Sequence, residues 1–374
     1  MPRSTAYQTW VRPLLFRFDA ERVHRATLAL AGAVGRTRAG RAALRALYQF
    51  EDDRLGTSVG GIAFPNPVGL PAGFDKNGIA TEALAALGFG SIDVGSVSAR
   101  ASAGNPERPR LFRIPADEGL IVFYGVPNDG AAAVAARLAR VRLPVPLGVS
   151  LVETNTGRPA PVDAVIAELA DAARRFTGIA TYLALNLNCP NSAGGFSHFD
   201  DPAHLRALLA ALGDVERLPP VFIRVTPPAE ARAIDAILAA IDPFAFVKGL
   251  SFYDPKNDLR ARLRTPPGEL ARMRGSVSAP VALGWTQATI REWYRRIDRK
   301  RLALIGVGGI SSAEDAYRTI RLGASLVQVY TALVYQGPAV VRAIKRGLVR
   351  LLERDGLRNI GDAVGVDNPP AAPR

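Results

Sequence analysis

Ile305-Gly306-Val307-Gly308-Gly309-Ile310-Ser311-Ser312, followed one helix later by Gly323-Ala324-Ser325-Leu326-Val327-Gln328-Val329-Tyr330-Thr331, is the stretch that decides the fold. Each run starts as a short apolar strand and ends on residues that open the backbone to a ligand. Gly308 and Gly309 allow close backbone approach. Ser311 or Ser312 would cap the helix that follows, whose free N–H groups can hold a phosphate. Tyr330-Thr331 adds backbone and hydroxyl donors at the end of the next strand. A Gly-Gly pair alone also serves tight turns. Its spacing across two consecutive strand–helix units favours a phosphate site, which barrels frequently build between their last two loops.

The same rhythm extends backwards along the chain. Pro67–Ala72, Ser91–Ser96, Leu147–Val152, Tyr182–Leu187, Val221–Val225, Phe246–Leu250, Leu302–Val307 and Leu326–Tyr330 have strand composition. Most precede a helical pattern such as Ile79–Leu87, Val162–Phe176 or Ala313–Leu322. Strand–helix alternation implies right-handed parallel crossovers, and eight such units predict an α/β fold, a (β/α)8 TIM barrel; a doubly wound open sheet is the alternative. The long connections 97–146 and 251–300 are expected to line or lid the active-site face. The expected organisation is a helical extension over 1–50, the barrel over 51–360 and a disordered tail over 361–374.

The extension is amphipathic. Tyr7, Trp10, Val11, Leu14, Leu15 and Phe18 follow helical spacing, with Pro13 placing the helix start near Arg12. Val23, Ala26, Leu30 and Val34 form a second stripe among Arg25, Arg36, Arg38 and Arg41. Such helices can lie in a membrane interface or pack on the main domain, and periodicity alone favours packing.

Composition narrows the chemistry. The chain of 374 residues carries a formal charge of +13 with only five lysines, Lys76, Lys248, Lys256, Lys300 and Lys345, the other basic residues being arginine. No arginine cluster is interleaved with exposed aromatics, so no nucleic-acid partner is expected. One cysteine, Cys189, excludes an intramolecular disulfide or a cysteine metal cluster, and three histidines leave little room for zinc. No apolar run is long enough to span a bilayer, and no secretory signal pattern is expected.

Two further motifs carry chemistry. In Pro65-Asn66-Pro67-Val68-Gly69-Leu70-Pro71-Ala72-Gly73-Phe74-Asp75-Lys76-Asn77-Gly78, small Ala72 and Gly73 at a strand end would let a flat ring lie against the backbone. Lys76 supplies a cation for a carboxylate or an anionic ring, unless it merely pairs with Asp75. Asn186-Leu187-Asn188-Cys189-Pro190-Asn191 surrounds the thiol with carboxamides suited to an imide or amide. A thiol can act as acid or base once its pKa nears neutrality, although a lone cysteine is more often a small buried hydrophobe.

With Asp19-Ala20-Glu21-Arg22-Val23-His24, Gly104-Asn105-Pro106, and Arg108-Pro109-Arg110-Leu111-Phe112-Arg113, these motifs resemble the dihydroorotate dehydrogenases, specifically their class 2, membrane-associated, quinone-dependent branch. The resemblance covers about residues 10–350 and is most specific over 305–338. It implies FMN contacts from Ala72, Gly73, Ser96, Asn186, Arg224, Gly308, Gly309, Tyr330 and Thr331. It implies substrate contacts from Lys76, Asn186, Asn191 and Ser251, with Cys189 as the catalytic base. It also implies dihydroorotate as substrate, a quinone as electron acceptor, pyrimidine biosynthesis as context, and a peripheral place on the cytoplasmic side of the cell membrane. The amphipathic extension then becomes the membrane-docking, quinone-channel element.

The chain departs from the family pattern at several positions. Cysteine stands where the class 2 branch has serine. An Asn-Arg segment reads Val122-Phe123, an Asn-x-Gly-Lys pattern reads Ser150-Leu151-Val152-Glu153, and the lysine of the fifth strand is Arg224. The Thr-Asn-Thr of the sixth strand reads approximately Gly249-Leu250-Ser251, and a Ser-Gly-Arg/Lys-Pro segment survives as Ser278-Ala279-Pro280. Phosphate-end residues are kept while substrate-end carboxamides are replaced, at a cost of ~1–3 kcal/mol per unsatisfied group. Two alternatives follow: an FMN oxidoreductase for a less polar substrate, and an RNA-acting flavoprotein like dihydrouridine synthase. The latter lacks support from the 65–78 stretch and from any His-x-Arg-Thr run.

Overall fold

The computed structural model describes residues 5–187, 198–228, 230–252 and 258–369. Within them the eight expected strands appear in order: β1 (Val68–Leu70), β2 (Ser91–Val97), β3 (Leu147–Leu151), β4 (Tyr182–Asn186), β5 (Val221–Val225), β6 (Val247–Phe252), β7 (Ala303–Val307) and β8 (Ala324–Gln328). Each pairs in parallel with the next and β8 returns to β1, so the sheet closes as a (β/α)8 barrel and the open-sheet alternative falls.

Strand alternation sorts the side chains. Leu183 and Leu185 on β4, Ile223 on β5, Leu250 on β6 and Leu304 on β7 join the large core between strands and helices. Tyr182, Phe222, Ile305 and Leu326 form a second cluster with Val59, Ile62 and Phe64. The last three belong to the antiparallel hairpin of Thr57–Val59 and Ile62–Phe64, which plugs the N-terminal end of the barrel. The open end therefore lies at the strands' C-termini. There the two long connections, expected to line or lid this face, also pair with each other: Leu111–Ile114, Gly119–Val122 and Ser276–Ser278 form one antiparallel sheet.

The extension folds as helices. A wide turn, Tyr7–Val11, leads into Arg12–Leu15, with the Arg12 N–H bonded to the Tyr7 carbonyl. The wider turn suits Pro13, which has no N–H to give. Helices α1 (Ala20–Gly35) and α2 (Arg38–Tyr48) follow. The stripe Val23, Ala26, Leu30, Val34 does not form the packed face of α1. Buried instead are Glu21, Leu28, Gly32 and Gly35, and Leu30 is 68% exposed. The glycines explain the shift, since a Cβ on Gly32 or Gly35 would stand 2.5 Å from the Ile79 carbonyl oxygen or 2.7 Å from the Ala83 nitrogen. Backbone approach that close turns the helix by its small residues rather than by its apolar ones.

The tail expected to be disordered from 361 is folded through Asn368. Ile360–Ala363 form a 3-10 turn with Ile360 and Ala363 buried. The Asn368 carboxamide is fully buried, donating to the Arg291 and Leu322 carbonyls at 2.8 and 3.0 Å and accepting from Arg295 Nε at 2.7 Å. Its three bonds tie the tail to the helical layer, which local polarity could not reveal. Asn368→Ala should lower the unfolding free energy in urea by about 2–3 kcal/mol, since it strands two carbonyls and a guanidinium. A variant within about 0.5 kcal/mol of wild type, the range of an ordinary surface change, would show the anchor to be inert.

Candidate active site

A cavity of about 250 Å³ opens at the C-terminal end of the barrel. Its wall brings together Ala72, Gly73, Lys76, Ser96, Asn186, Arg224, Gly308, Gly309, Tyr330 and Thr331, residues spread over more than 250 positions of sequence. Ser251 faces the barrel interior in register with Arg224 and Ile305 but is not part of the wall, which takes Phe252 from that strand. Leu250 lies in the outer core, so its apolar side chain does not bear on the site. Asn188, Cys189 and Asn191 lie outside the described residues.

The β7–β8 end has the expected glycine cradle, with one correction. Gly308 and Gly309 have φ of 117° and 76°, and a Cβ on Gly309 would collide with the backbone of Leu283. Ser312 caps the helix Ala313–Arg321, accepting from the Asp315 N–H at 3.1 Å. The Ser311 N–H and hydroxyl both go to Asp315 Oδ2 at 3.0 Å. Those helix-terminal groups are thus satisfied internally, which leaves the Gly308–Ile310 turn and the start of the helix at Thr331 as the cavity-lining backbone at this end. Thr331 Oγ1 shares a 2.6 Å hydrogen bond with Ser278 Oγ, linking the cradle to the upper sheet.

On the opposite wall the Gly73 N–H donates to the Gly95 carbonyl at 2.6 Å, drawing the ends of β1 and β2 together. Asn186 Nδ2 donates to Ser96 Oγ at 3.0 Å, and Ser96 Oγ meets Ser150 Oγ at 2.8 Å. Asp75 does not pair with Lys76: its carboxylate accepts from the Ile79 and Ala80 N–H groups at 3.0 and 2.7 Å. Lys76 Nζ donates to the Gly73 carbonyl at 2.7 Å and lies 4.0 Å from the centre of the Tyr124 ring. Burial pushes its pKa down to about 8.

Several wall residues escape a reading of the sequence. Tyr124 lies two positions beyond Val122, and its buried hydroxyl has no hydrogen-bond partner among the described residues. Thr286 donates to the Val307 carbonyl at 3.1 Å and holds the end of β7. Gln328 leaves a signal, as a carboxamide directly after the apolar pair Leu326-Val327. Val122, Val126, Leu259 and Val277 make much of the remaining wall apolar. Glu153 is outside it, 3.9 Å from His198 Nε2, with its pKa raised by burial.

The extension reaches this rim. Tyr7 OH donates to the Val334 carbonyl at 2.8 Å, and Phe16 packs edge-on to Tyr335 at 5.3 Å. Glu21, in α1, bonds Arg110 Nη2 at 2.6 Å, and both are buried. His24 Nε2 donates to the Phe74 carbonyl at 2.8 Å; burial drops its pKa to about 4, which keeps the ring neutral.

A family model described as dihydroorotate dehydrogenase matches residues 54–352. A dihydroorotate dehydrogenase (quinone) of Deinococcus deserti is 39% identical over 376 residues, covering 96% of this chain and 99% of that protein. One from Roseiflexus sp. is 38% identical over 370 residues, covering 97% and 99%. The crystal structure of Eimeria tenella DHODH in complex with ferulenol superimposes with a TM-score of 0.77 at 26% identity, covering 94% of this chain and 96% of that one.

Proposed function

The chain belongs to the dihydroorotate dehydrogenase family, and on that premise we propose that it oxidises dihydroorotate to orotate with FMN and passes the electrons to a quinone. The observation that carries the reading is the single cavity wall joining a glycine cradle to Lys76, Asn186 and Arg224. The residues fit FMN: the Gly308–Gly309 turn, where positive φ and close neighbours exclude side chains, gives the cavity a wall of bare backbone, and Ala72-Gly73 leaves a flat backbone face. When bound, FMN supplies the acceptor for a hydride from the substrate ring. Gly308, Gly309, Tyr330 and Thr331 would hold its phosphate, and Ala72, Gly73, Ser96, Asn186 and Arg224 its ring. Lys76 holds the substrate carboxylate, and Asn186 and Asn191 bind its ring. Cys189 takes the proton beside the substrate carbonyl.

The visible spectrum of purified protein before and after anaerobic dihydroorotate tests the reading. Yellow protein that bleaches supports it. The apolar wall of Val122, Val126 and Val277 favours one second reading, a less polar substrate. Yellow protein that dihydroorotate leaves oxidised would select that reading.

Lys76 makes orotate binding depend on pH. Its cation is present below about pH 8 and lost above it. The orotate Kd, followed by perturbation of the flavin spectrum, should be flat from about pH 7 to 8 and rise about tenfold per unit above. Lys76→Met should weaken binding at pH 7 by roughly 30-fold, about 2 kcal/mol for a charge-assisted contact, and remove the alkaline limb. An unchanged limb in the variant would transfer it to another group.

The extension serves as a peripheral membrane anchor beside the quinone path. Among the described residues, six of the eight exposed large hydrophobics lie in it: Trp10, Val11, Leu14, Phe18, Leu30 and Leu47. No helix among the described residues is long and apolar enough to cross a membrane. An apolar face edged by arginines instead suits the headgroup boundary. Wild type should co-sediment with anionic vesicles, and the Trp10→Glu, Leu14→Glu, Leu30→Glu triple variant should stay in the supernatant while still bleaching with dihydroorotate. A triple variant that pellets like wild type would remove this role.

A further inference from the structure

Beneath the cavity floor a buried polar chain crosses half the barrel. Gln328 Nε2, on β8, donates to Asp93 Oδ2 on β2 at 2.7 Å. The Tyr182 hydroxyl, on β4, donates to Asp93 Oδ1. Gln328 and Tyr182 reach Asp93 past the strands on either side of it, and both of those strands carry a glycine at the crossing. Gly69 on β1 pairs in register with Gln328 and Ser91, and a Cβ there would come within 2.5 Å of Ser91 Oγ. Gly148 on β3 pairs with Asp93 and Tyr182, and a Cβ there would collide with both. Asp93 is 5% exposed, and Gln328 alone of the three polar residues also lines the cavity.

We propose that Asp93 is a positioning residue that grips the Gln328 carboxamide by its nitrogen and so leaves the amide oxygen as the acceptor offered to the cavity. The ligand group complementary to that oxygen is an imide N–H. Both the pyrimidine half of a flavin and dihydroorotate carry one, so the proposal rests on the flavoprotein reading above. An ionised carboxylate can only accept, which forbids the reversed amide. A protonated one can donate to the amide oxygen and permits reversal. Burial raises the Asp93 pKa to about 6, with Tyr182, Gln328 and the charge of Arg224 on β5 opposing the rise. Tyr182, its pKa raised well above the usual phenol value, stays protonated through that range, and Arg224 is the charge among the described residues that opposes the rise.

The test uses the whole chain, freed of flavin and titrated with FMN by fluorescence, then the FMN-loaded protein titrated with orotate. The affected arm identifies which imide meets Gln328. Asp93→Asn and Gln328→Met should each weaken that ligand about tenfold at pH 7.5, and the double variant should be no weaker than either single one. The ratio of variant to wild-type Kd, which cancels the titration of the FMN phosphate, should approach one as the pH falls below about 6. Should Asp93→Asn fail to fold, Gln328→Met leaves the Asp93–Tyr182 bond intact and reads the same pH-dependent ratio. Additive effects in the double variant would overturn the proposal. So would variants with a lower Tm whose two ligand affinities and pH ratios match wild type. Wild type that binds no FMN overturns the flavoprotein reading, and the proposal with it.

Discussion

Cys189→Ala should leave the protein yellow and slow its bleaching by dihydroorotate by about 10²–10⁴-fold, the usual contribution of a positioned acid or base. The proposed step breaks a C–H bond beside a carbonyl, and its proton needs an acceptor before or as the hydride leaves. Cys189 is the only thiol in the chain and stands three residues beyond Asn186, which lines the cavity. FMN content should be unchanged, because the cradle is built from the ends of β7 and β8. Stopped-flow reduction, followed at the flavin's visible absorption band as a function of pH, separates the roles: the wild-type rate should rise with thiolate formation and the Cys189→Ala rate should be flat. Cys189→Ser should fall between them at high pH, a hydroxyl being a poorer base than a thiolate. A variant reduced at the wild-type rate would move the proton to another group.

How much of this is legible in the sequence depends on the range of the interaction that fixes each residue. The eight strands are visible because each is a short apolar or β-branched run followed by turn or helical residues, a local property. The glycine turn is visible because the Gly-Gly pair closes one of two consecutive strand–helix units, a spacing that the sequence itself prints. The packed face of α1 is not, since the shift from Leu30 to Gly32 and Gly35 depends on the backbone of Ile79 and Ala83, which no periodicity within the helix encodes. Asn368 is hidden for the same reason, its three partners lying on Arg291, Arg295 and Leu322. The fate of Asp75 turns on competition: the adjacent lysine is one available partner, but two backbone N–H groups take the carboxylate instead and leave Lys76 to the cavity. Leu250 illustrates the opposite error, in which an apolar residue aligned near a family carboxamide faces the helices, one pleat away from Ser251.

Gly309→Ala should yield colourless protein, with the FMN Kd raised at least about 100-fold, equivalent to about 2.8 kcal/mol. Two costs combine at this position. The φ of 76° lies in the left-handed region, where a Cβ adds about 1 kcal/mol. The second cost is steric and larger: the new methyl would overlap the Leu283 nitrogen and stand 2.7 Å from its Cα. Backbone cannot rotate aside as a side chain can, so the start of the helix Leu283–Tyr294 must move. That helix carries Thr286, whose hydroxyl holds the Val307 carbonyl at the end of β7. Displacement therefore spreads from the substituted residue to the strand end that shapes the cradle. Gly178→Ala separates the two costs, because Gly178 has a φ of 73° and a methyl there would meet nothing within 4 Å. It should lower stability by about 1 kcal/mol and retain FMN with wild-type affinity. Flavin fluorescence titration of the two variants decides the matter. Equal, wild-type-like affinity in both would place the phosphate elsewhere than on the Gly308–Gly309 turn.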